Sequence, residues 1–486
     1  MGVLLWIQPI LLAALGPSLF GIWQVLRRLV TYMTAADGRP TQALTWVIAN
    51  QRHSADDTTK RRAIGSAMVV WLALTPIILV TGAFIMWLVP TVIDLPVGDV
   101  FTVRAAFGVL VLNLVISGFV GLPDAVLRGM NLGYKRMGVA TGLIVLGGCL
   151  TVATIRLGWG LIGISVAEFA TTALTALVFW SVTKRLLPWL GIARPSWADV
   201  RHFFGYSGWL MIAILFSKAT LASDLVLLGM VTSSASVAVY TLTGYAAQVA
   251  LGLAAMILAS ALPGLGGIMG RGDRQHAAAI RMEMMALSWL LVIVTGVSIL
   301  AWNRSFVGLW VGEQMYAGAV VNLLLILLTA QLVFQRTDAN IIDISLDVRM
   351  KALLGGAGLV VSVSLGWFLG SRLGMAGLVA GFLTGRMVTG IAYPMLTGRL
   401  LHVSTRSQVP TLLRRAVVAL VLFGASFLVG ETVHVRAWPI LLAAIILTSL
   451  TGGGLGWLLG LDTAMRKRIW SRGRKVLFAQ RRYDAH

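Results

Sequence analysis

Apolar stretches of about 20 residues recur along the whole chain, and little sequence separates them. A helix of that length crosses the hydrocarbon core of a bilayer, whereas a soluble protein of this size would carry more charge. The composition points the same way, because 58% of the 486 residues are hydrophobic, 12% are charged and the mean hydropathy is +0.87. The sequence therefore predicts an all-α polytopic membrane protein.

We expect about 14 transmembrane helices, of which the first is short. A shorter apolar run covers residues 3–15, and full-length stretches follow it. These stretches are 18–36, 63–91, 102–125, 138–156, 159–183, 205–231, 235–262, 283–303, 316–335, 352–371, 374–398, 414–431 and 438–461.

The basic residues concentrate in every second predicted loop. Of the 39 Lys and Arg residues, 30 lie in the loops 37–62, 126–137, 184–202, 264–282, 336–351, 399–415 and 462–486. Loops rich in Lys and Arg remain on the cytoplasmic side of a membrane. We therefore expect both termini in the cytoplasm, and the net charge of +21 reflects topology rather than nucleic-acid binding.

Several kinds of chemistry lack the residues that they need. The sequence has no Gly-Lys dipeptide and hence no phosphate-binding P-loop, and its single cysteine, Cys149, lies within a predicted helix. The six histidines fall in loops or tails without metal-ligand spacing. The non-cytoplasmic loops are too short for the acidic catalytic residues expected of a polysaccharide polymerase. We therefore predict a protein that is not an enzyme and that uses no cofactor and no metal.

A few charged and polar residues interrupt the apolar stretches. Charge is costly at bilayer depth, so such residues commonly line a hydrated route for a substrate. The candidate substrate-binding cations are Arg27, Arg28, Lys218 and Arg386, and the candidate cavity polar groups or ion-coupling groups are Gln24, Asp224, Glu168, Gln331, Gln335 and Tyr393. The excess of cations favours an anionic substrate, because guanidinium groups match the oxygens of a phosphate.

The cations also have structural interpretations. Arg27 and Arg28 can extend toward a membrane interface, and Arg386 can be a topogenic charge near a helix end. Lys218 and Asp224 can form interhelical pairs, but their six-residue spacing places them about 120° apart on a helix and disfavours a pair with each other.

The remaining candidates have alternatives too. Glu168 can carry a proton or be a hydrogen-bonded structural carboxylate. Gln331, Gln335 and Asp338 can contact a sugar or can form a solvated helix end. The glycines spaced by four between Gly452 and Gly460 permit close helix packing, within the chain or between subunits.

Residues 16–24 and 233–241 align as an internal repeat that pairs Trp23 with Tyr240. In both places an apolar helix, a tight turn of small residues and a second helix with an aromatic residue follow one another, and the turn in the first copy begins at Gly16-Pro17. Repeated six-helix halves are common in transporters. Under this alignment the run 3–15 is the end of a longer helix, and we expect the native chain to begin upstream of Met1.

Four places in the chain resemble the polysaccharide transporters, or O-antigen-type flippases, of the multidrug/oligosaccharidyl-lipid/polysaccharide exporter (MOP) superfamily. They are Leu15–Trp23, then Asp37-Gly38 with Ala43-Leu44 and Ile48-Ala49, then Ser223–Gly229 with Val239-Tyr240, and finally Leu262-Pro263 with Gly272-Asp273. The short first helix and Arg39-Pro40 depart from the family pattern.

The resemblance implies two six-helix lobes around a central cavity, with two C-terminal helices added. The corresponding division is an N-terminal lobe 1–183, a cytoplasmic linker 184–204, a C-terminal lobe 205–398, the last two helices 399–461 and a basic cytoplasmic tail 462–486.

The same resemblance implies a multi-pass protein of the bacterial inner membrane that flips a polyprenyl-diphosphate-linked oligosaccharide across it for surface polysaccharide biosynthesis, by alternating access of the lobes. The lipid-linked glycan, membrane lipids and polysaccharide assembly proteins would be its partners, without nucleic acid. The alternatives are a drug/cation antiporter or a lipid II flippase of the same superfamily and, in another class, a membrane polysaccharide polymerase or ligase.

Overall fold

The computed structural model describes most of the chain. It covers residues 2–33, 41, 44, 45, 47, 48, 56–92, 99–130, 132, 135, 137–205, 208–270, 272–344, 348–403 and 409–471. The described part is helical and contains no strand, so the all-α prediction is confirmed. Contacts group the chain into two compact units, Met1–Ala238 and Val239–His486.

Among the described residues, the first unit contains seven helices with complete bounds and the beginning of an eighth, besides helical residues between 41 and 48. They are α1 (Gly2–Met33), α2 (Asp57–Val92), α3 (Val100–Gly129), α4 (Met137–Arg156), α5 (Gly160–Leu186), α6 (Trp197–Gly205), α7 (Gly208–Val231) and α8 (Ser234–Thr243). Helix α7 packs against α1 within this unit. The predicted division placed residues 205–231 in the C-terminal lobe. It groups helices by their order along the chain, whereas the two units are defined by contacts, and it stays a prediction.

The second unit continues with helices that follow one another at short intervals. They are α9 (Tyr245–Gly270), α10 (Arg274–Val311), α11 (Ala319–Ile344), α12 (Val348–Gly385), α13 (Met387–Leu400), α14 (Val409–Thr432) and α15 (Trp438–Leu455), with a short 3₁₀ turn at Glu313–Met315 and a π turn at Gly456–Gly460. The apolar core of this unit lies between α10, α11 and α14 and contains Trp289, Ile293 and Phe423.

Helix α1 reverses direction at Gly16, as the Gly16-Pro17 pair predicted. Gly16 has φ 71° and ψ 167°, outside the helical region. The Gln24 amide nitrogen lies 3.4 Å from the Gln8 amide oxygen, although 16 residues of straight helix would separate them by about 24 Å. The short predicted run 3–15 and the predicted helix that follows it are therefore the two arms of one tight hairpin.

Helix α12 makes a second reversal at Gly374, where φ is 61° and ψ is −142°. The two arms approach so closely that a Cβ at Gly377 would lie 2.2 Å from the Leu369 carbonyl oxygen, and a Cβ at Gly381 would lie 2.5 Å from that of Leu365. Only glycine fits this spacing without a shift of backbone. A row of glycines four residues apart thus forms the seam of the hairpin, which the sequence analysis did not predict.

Ten helices of the described chain are long and apolar enough to span a membrane, or eleven with the bent pair Ser234–Thr243 and Tyr245–Leu258. Two of the ten, Trp6–Met33 and Arg349–Leu400, contain the reversals and so provide two arms each. Counted with these extra arms and the bent pair, the described residues contain up to thirteen apolar arms. The helix Gly208–Val231 lies where the further span 205–231 is predicted. The protein is a multi-pass membrane protein.

The glycines of the last helix pack within the chain. Side chains of α10 lie against them, with Val297 opposite Gly452 and Trp289 opposite Gly460. The close packing allowed by this series is therefore used to attach the C-terminal helices to α10.

Candidate functional site

The two most buried spans are those of α1 and α10. In the most apolar window of each, 56% and 61% of the residues are buried, whereas the share is between 11% and 39% in the other single spans. The most apolar parts of these two helices are therefore enclosed mainly by neighbouring helices. This placement makes the polar residues of α1 candidates for the lining of a hydrated route.

Arg27 on α1 and Glu168 on α5 are brought together in the first unit. The Arg27 Nη2 atom lies 3.8 Å from the Glu168 Oε1 atom, and the side chains are 44% and 35% exposed. This separation is too long for a hydrogen bond, so the attraction is Coulombic. The guanidinium carbon also lies 5.8 Å from the centre of the Trp23 ring. The pair therefore combines a cation and a carboxylate that are both partly exposed, beside an aromatic ring that is buried.

The other candidates of the first unit have different surroundings. Gln24 is buried and directed at Gln8, so it joins the two arms of the α1 hairpin. Arg28, beside Arg27, is half-buried. Lys218 and Asp224 are half-buried on α7, and the Asp224 carboxylate accepts a hydrogen bond of 2.9 Å from the backbone N–H of Leu225.

Arg386 lies at the junction between α12 and α13 in the second unit. Its side chain is 2% exposed, and its guanidinium carbon is 5.2 Å from the centre of the Phe382 ring. Its carbonyl oxygen accepts hydrogen bonds from the Gln335 side-chain amide at 2.8 Å and from the Thr389 hydroxyl at 3.0 Å. Arg386 lies at a helix end, as the alternative of a topogenic charge supposed, but its side chain is enclosed.

Gln331 and Gln335 of α11 both bond the backbone around this junction. The Gln331 amide donates to the Leu383 carbonyl oxygen at 3.2 Å, one turn before Arg386. Gln335 is buried, so the expectation of a solvated helix end is wrong for it. Tyr393 is buried two turns further along, and its hydroxyl lies 3.5 Å from the Lys351 carbonyl oxygen. The two glutamines and Arg386 thus form one cluster, and Tyr393 lies outside it.

A buried ion pair in the second unit escaped the sequence analysis. The Arg281 Nε atom lies 2.7 Å from the Asp338 Oδ1 atom, and the side chains are 5% and 0% exposed. The sequence analysis counted Arg281 as a charge of the loop 264–282, but α10 already begins at Arg274. The spacing Ala277, Arg281, Met284 follows a buried helical face, and this was the signal that could have revealed it.

Comparisons with known proteins match the fold. No protein-family profile and no curated protein matches the sequence. Among solved structures, an inward-facing multidrug resistance MATE family transporter of the MOP superfamily has a TM-score of 0.69 at 14% identity, over 82% of this chain and 93% of that chain. The lipid II flippase MurJ, in an inward closed conformation, has a TM-score of 0.69 at 11% identity, over 94% and 96% of the two chains.

A MOP superfamily transporter from Pyrococcus furiosus, described as having a binding pocket of reverse polarity, gives a TM-score of 0.54 at 14% identity over 82% of this chain and 91% of that chain. All three identities are too low to transfer a substrate or a residue role. They establish the architecture, and the chain has the fold of the MOP superfamily transporters.

Proposed function

We propose that this protein is a bacterial inner-membrane flippase that carries a polyprenyl-diphosphate-linked oligosaccharide to the outer leaflet by alternating access. The fold, shared with transporters that include a lipid II flippase, supports a transport function. The O-antigen-type substrate is the finer part of the proposal, and it rests on the cations at membrane depth.

The observation that carries the proposal is the Arg27 guanidinium. It is 44% exposed although it lies on the most buried span of its unit. A cation on a buried span is energetically unfavourable, so its presence is best explained by a function such as binding an anion. The diphosphate of a lipid-linked sugar offers oxygens that accept two parallel N–H bonds from one guanidinium, and such charge-assisted bonds are short and strong.

Glu168 would hold Arg27 in place until the substrate arrives. The separation of 3.8 Å leaves Arg27 without a direct hydrogen bond to this carboxylate. A diphosphate at hydrogen-bond distance would therefore compete well for the guanidinium. The carboxylate near the anion would also help release, because its repulsion prevents the substrate from binding too tightly.

Arg386 would act later in the transport cycle. In this structure its guanidinium is enclosed beside Phe382, and its backbone is fixed by Gln335. A rearrangement at the junction of α12 and α13 would be needed to present the cation to a substrate. We therefore assign first contact with the diphosphate to Arg27, and we assign Arg386 to a state with a different arrangement of this junction.

The test is translocation of a fluorescent polyprenyl-diphosphate oligosaccharide in proteoliposomes. Hydrogen bonds to charged groups contribute about 1.5–3 kcal/mol, so Arg27→Gln should lower the initial rate about 10- to 100-fold. Arg27→Lys should retain part of the rate, because it keeps the charge without the planar fork. The control is Arg156→Gln, which removes an exposed arginine at the end of α4 and should leave the rate unchanged.

Each alternative function has its own result. Equal rates for Arg27→Gln and the wild-type protein would refute the role of Arg27. Efflux of a cationic dye without glycolipid transfer would identify a drug antiporter, and transfer of lipid II alone would identify that flippase activity. Chain extension of the glycan without translocation would identify a polymerase or ligase.

A further inference from the structure

We propose that residues 184–201, named here the basic strap, bind the headgroups of anionic phospholipids at the membrane surface. This inference is independent of the transported substrate, because it concerns the outside of the first unit.

The strap is fixed to the ends of its neighbouring helices. Leu190 and Val200 are buried in the same apolar cluster as the first turns of α2. The Arg61 side chain donates a hydrogen bond of 2.6 Å to the Trp189 carbonyl oxygen, and the Ala193 N–H donates to the Arg61 carbonyl oxygen at 3.3 Å. The strap is therefore an ordered surface that needs little rearrangement to bind a ligand.

Its position places it at the boundary of the hydrocarbon. The strap begins in the last turn of the span Gly160–Leu186 and contacts the beginning of the span Asp57–Pro90. Two spans thus end or begin at this surface. The sequence analysis expects this side to be cytoplasmic, where the inner leaflet carries anionic lipids.

The outward surface of the strap combines positive charge with apolar side chains. Ile192 is 50% exposed and Trp197 is 79% exposed. The exposed basic residues are Lys184, Arg185, Arg194 and Arg201. The acidic residue of the strap, Asp199, is used in a helix cap, since its carboxylate accepts from the Ser196 N–H at 2.9 Å. The surface is therefore strongly cationic.

Charge and shape together favour a lipid surface as the occupant. Trp197 and Arg201 are four residues apart on α6 and so share one side of the helix. Tryptophan prefers the interface, where its ring lies near acyl chains, and arginine there meets phosphates. A soluble acidic protein would match the charge but would not account for the exposed Ile192 and Trp197 beside the ends of two spans.

The test measures lipid binding by native mass spectrometry of the purified chain, titrated with dioleoyl-phosphatidylglycerol or dioleoyl-phosphatidylcholine. One basic residue near a membrane surface changes affinity about fivefold, so the variant K184Q/R185Q/R194Q/R201Q should bind phosphatidylglycerol at least that much more weakly. The control, R156Q/R372Q/R436Q, removes three exposed arginines from loops expected on the opposite side of the membrane and should bind as the wild-type chain does.

A second measurement keeps all four charges of the strap. A nitroxide on Trp197→Cys, in a Cys149→Ser background, should be shielded from an aqueous nickel chelate in vesicles that contain phosphatidylglycerol. Equal lipid affinity of the two charge variants would overturn the proposal, as would binding of phosphatidylcholine as tight as that of phosphatidylglycerol. Free access of the chelate to position 197 would also overturn it and would assign the surface to a soluble partner.

Discussion

The Gly381 position in the α12 hairpin allows the packing argument to be tested by adding one methyl group. In Gly381→Ala the new Cβ would lie 2.5 Å from the Leu365 carbonyl oxygen and 2.6 Å from the Gly366 nitrogen. Both atoms belong to the backbone, so no side chain can rotate away. Since ordinary contact begins at 3.4 Å, the two arms must separate by about 0.9 Å.

The energetic cost can be bounded. Overpacking of this kind costs typically about 1–3 kcal/mol, and a backbone clash belongs at the upper end of that range. Alanine has a higher helix propensity than glycine, and this difference offsets about 0.8–1 kcal/mol of the destabilisation. We therefore expect Gly381→Ala to destabilise the protein by about 2 kcal/mol. Separation of the arms would also displace Arg386, which follows five residues later.

Gly424→Ala provides the matched control. Gly424 lies within α14, and a Cβ there would meet no atom within 4 Å, so the same substitution should gain the helix propensity without a clash. Thermal unfolding of the two variants in detergent measures the difference, with the midpoint of Gly381→Ala lower by several degrees. Equal midpoints for the two variants would show that the arms are not in the close contact described here.

Two further predictions concern the polar contacts of the second unit. Asp338→Asn or Arg281→Leu alone should destabilise the protein by about 3–5 kcal/mol, because each leaves a buried charge without its partner. The double variant should lose less stability than the sum of the two single variants. Additive losses in a double-mutant cycle of thermal unfolding would contradict the pairing. Gln335→Leu replaces the side chain by one of similar volume and removes its hydrogen bond to the Arg386 carbonyl oxygen. It should lower the free energy of unfolding by about 1 kcal/mol and should also lower the transport rate. Unchanged transport at normal expression would refute a positioning role for Gln335.

The sequence predicted the helices well because their signals are local. Apolar length identifies a span, and Gly16-Pro17 identified a reversal that the hydrogen bond between Gln8 and Gln24 now places. The reversal at Gly374 coincides with the first residue of the predicted span 374–398, but the glycine seam beyond it was not predicted. The close packing at this seam depends on which residues lie opposite the glycines, and a periodic glycine pattern does not identify the partner helix.

The candidate site could be predicted only as a set of residues. The cost of charge at bilayer depth identified Arg27, Glu168 and Arg386 without reference to their partners. Pairing between α1 and α5 is a long-range contact, so the proximity of Arg27 to Glu168 could not be read from local spacing. The enclosure of Arg386 also depends on α11, whose glutamines lie some 50 residues earlier in the chain.

The misassignment of Arg281 follows from helix length. Helix α10 has 38 residues and is about 57 Å long, whereas the hydrocarbon core is about 30 Å thick. The predicted span 283–303 thus describes the part that fits the bilayer, and the helix continues beyond it. Hydropathy alone places Arg281 outside the membrane, where it counts as a basic loop residue in the prediction of topology. The same residue is nevertheless buried, because neighbouring helices extend with α10 and enclose the pair with Asp338. A side chain that the sequence predicts to be a topogenic charge therefore also forms a buried ion pair, and a charge count alone does not detect that pair.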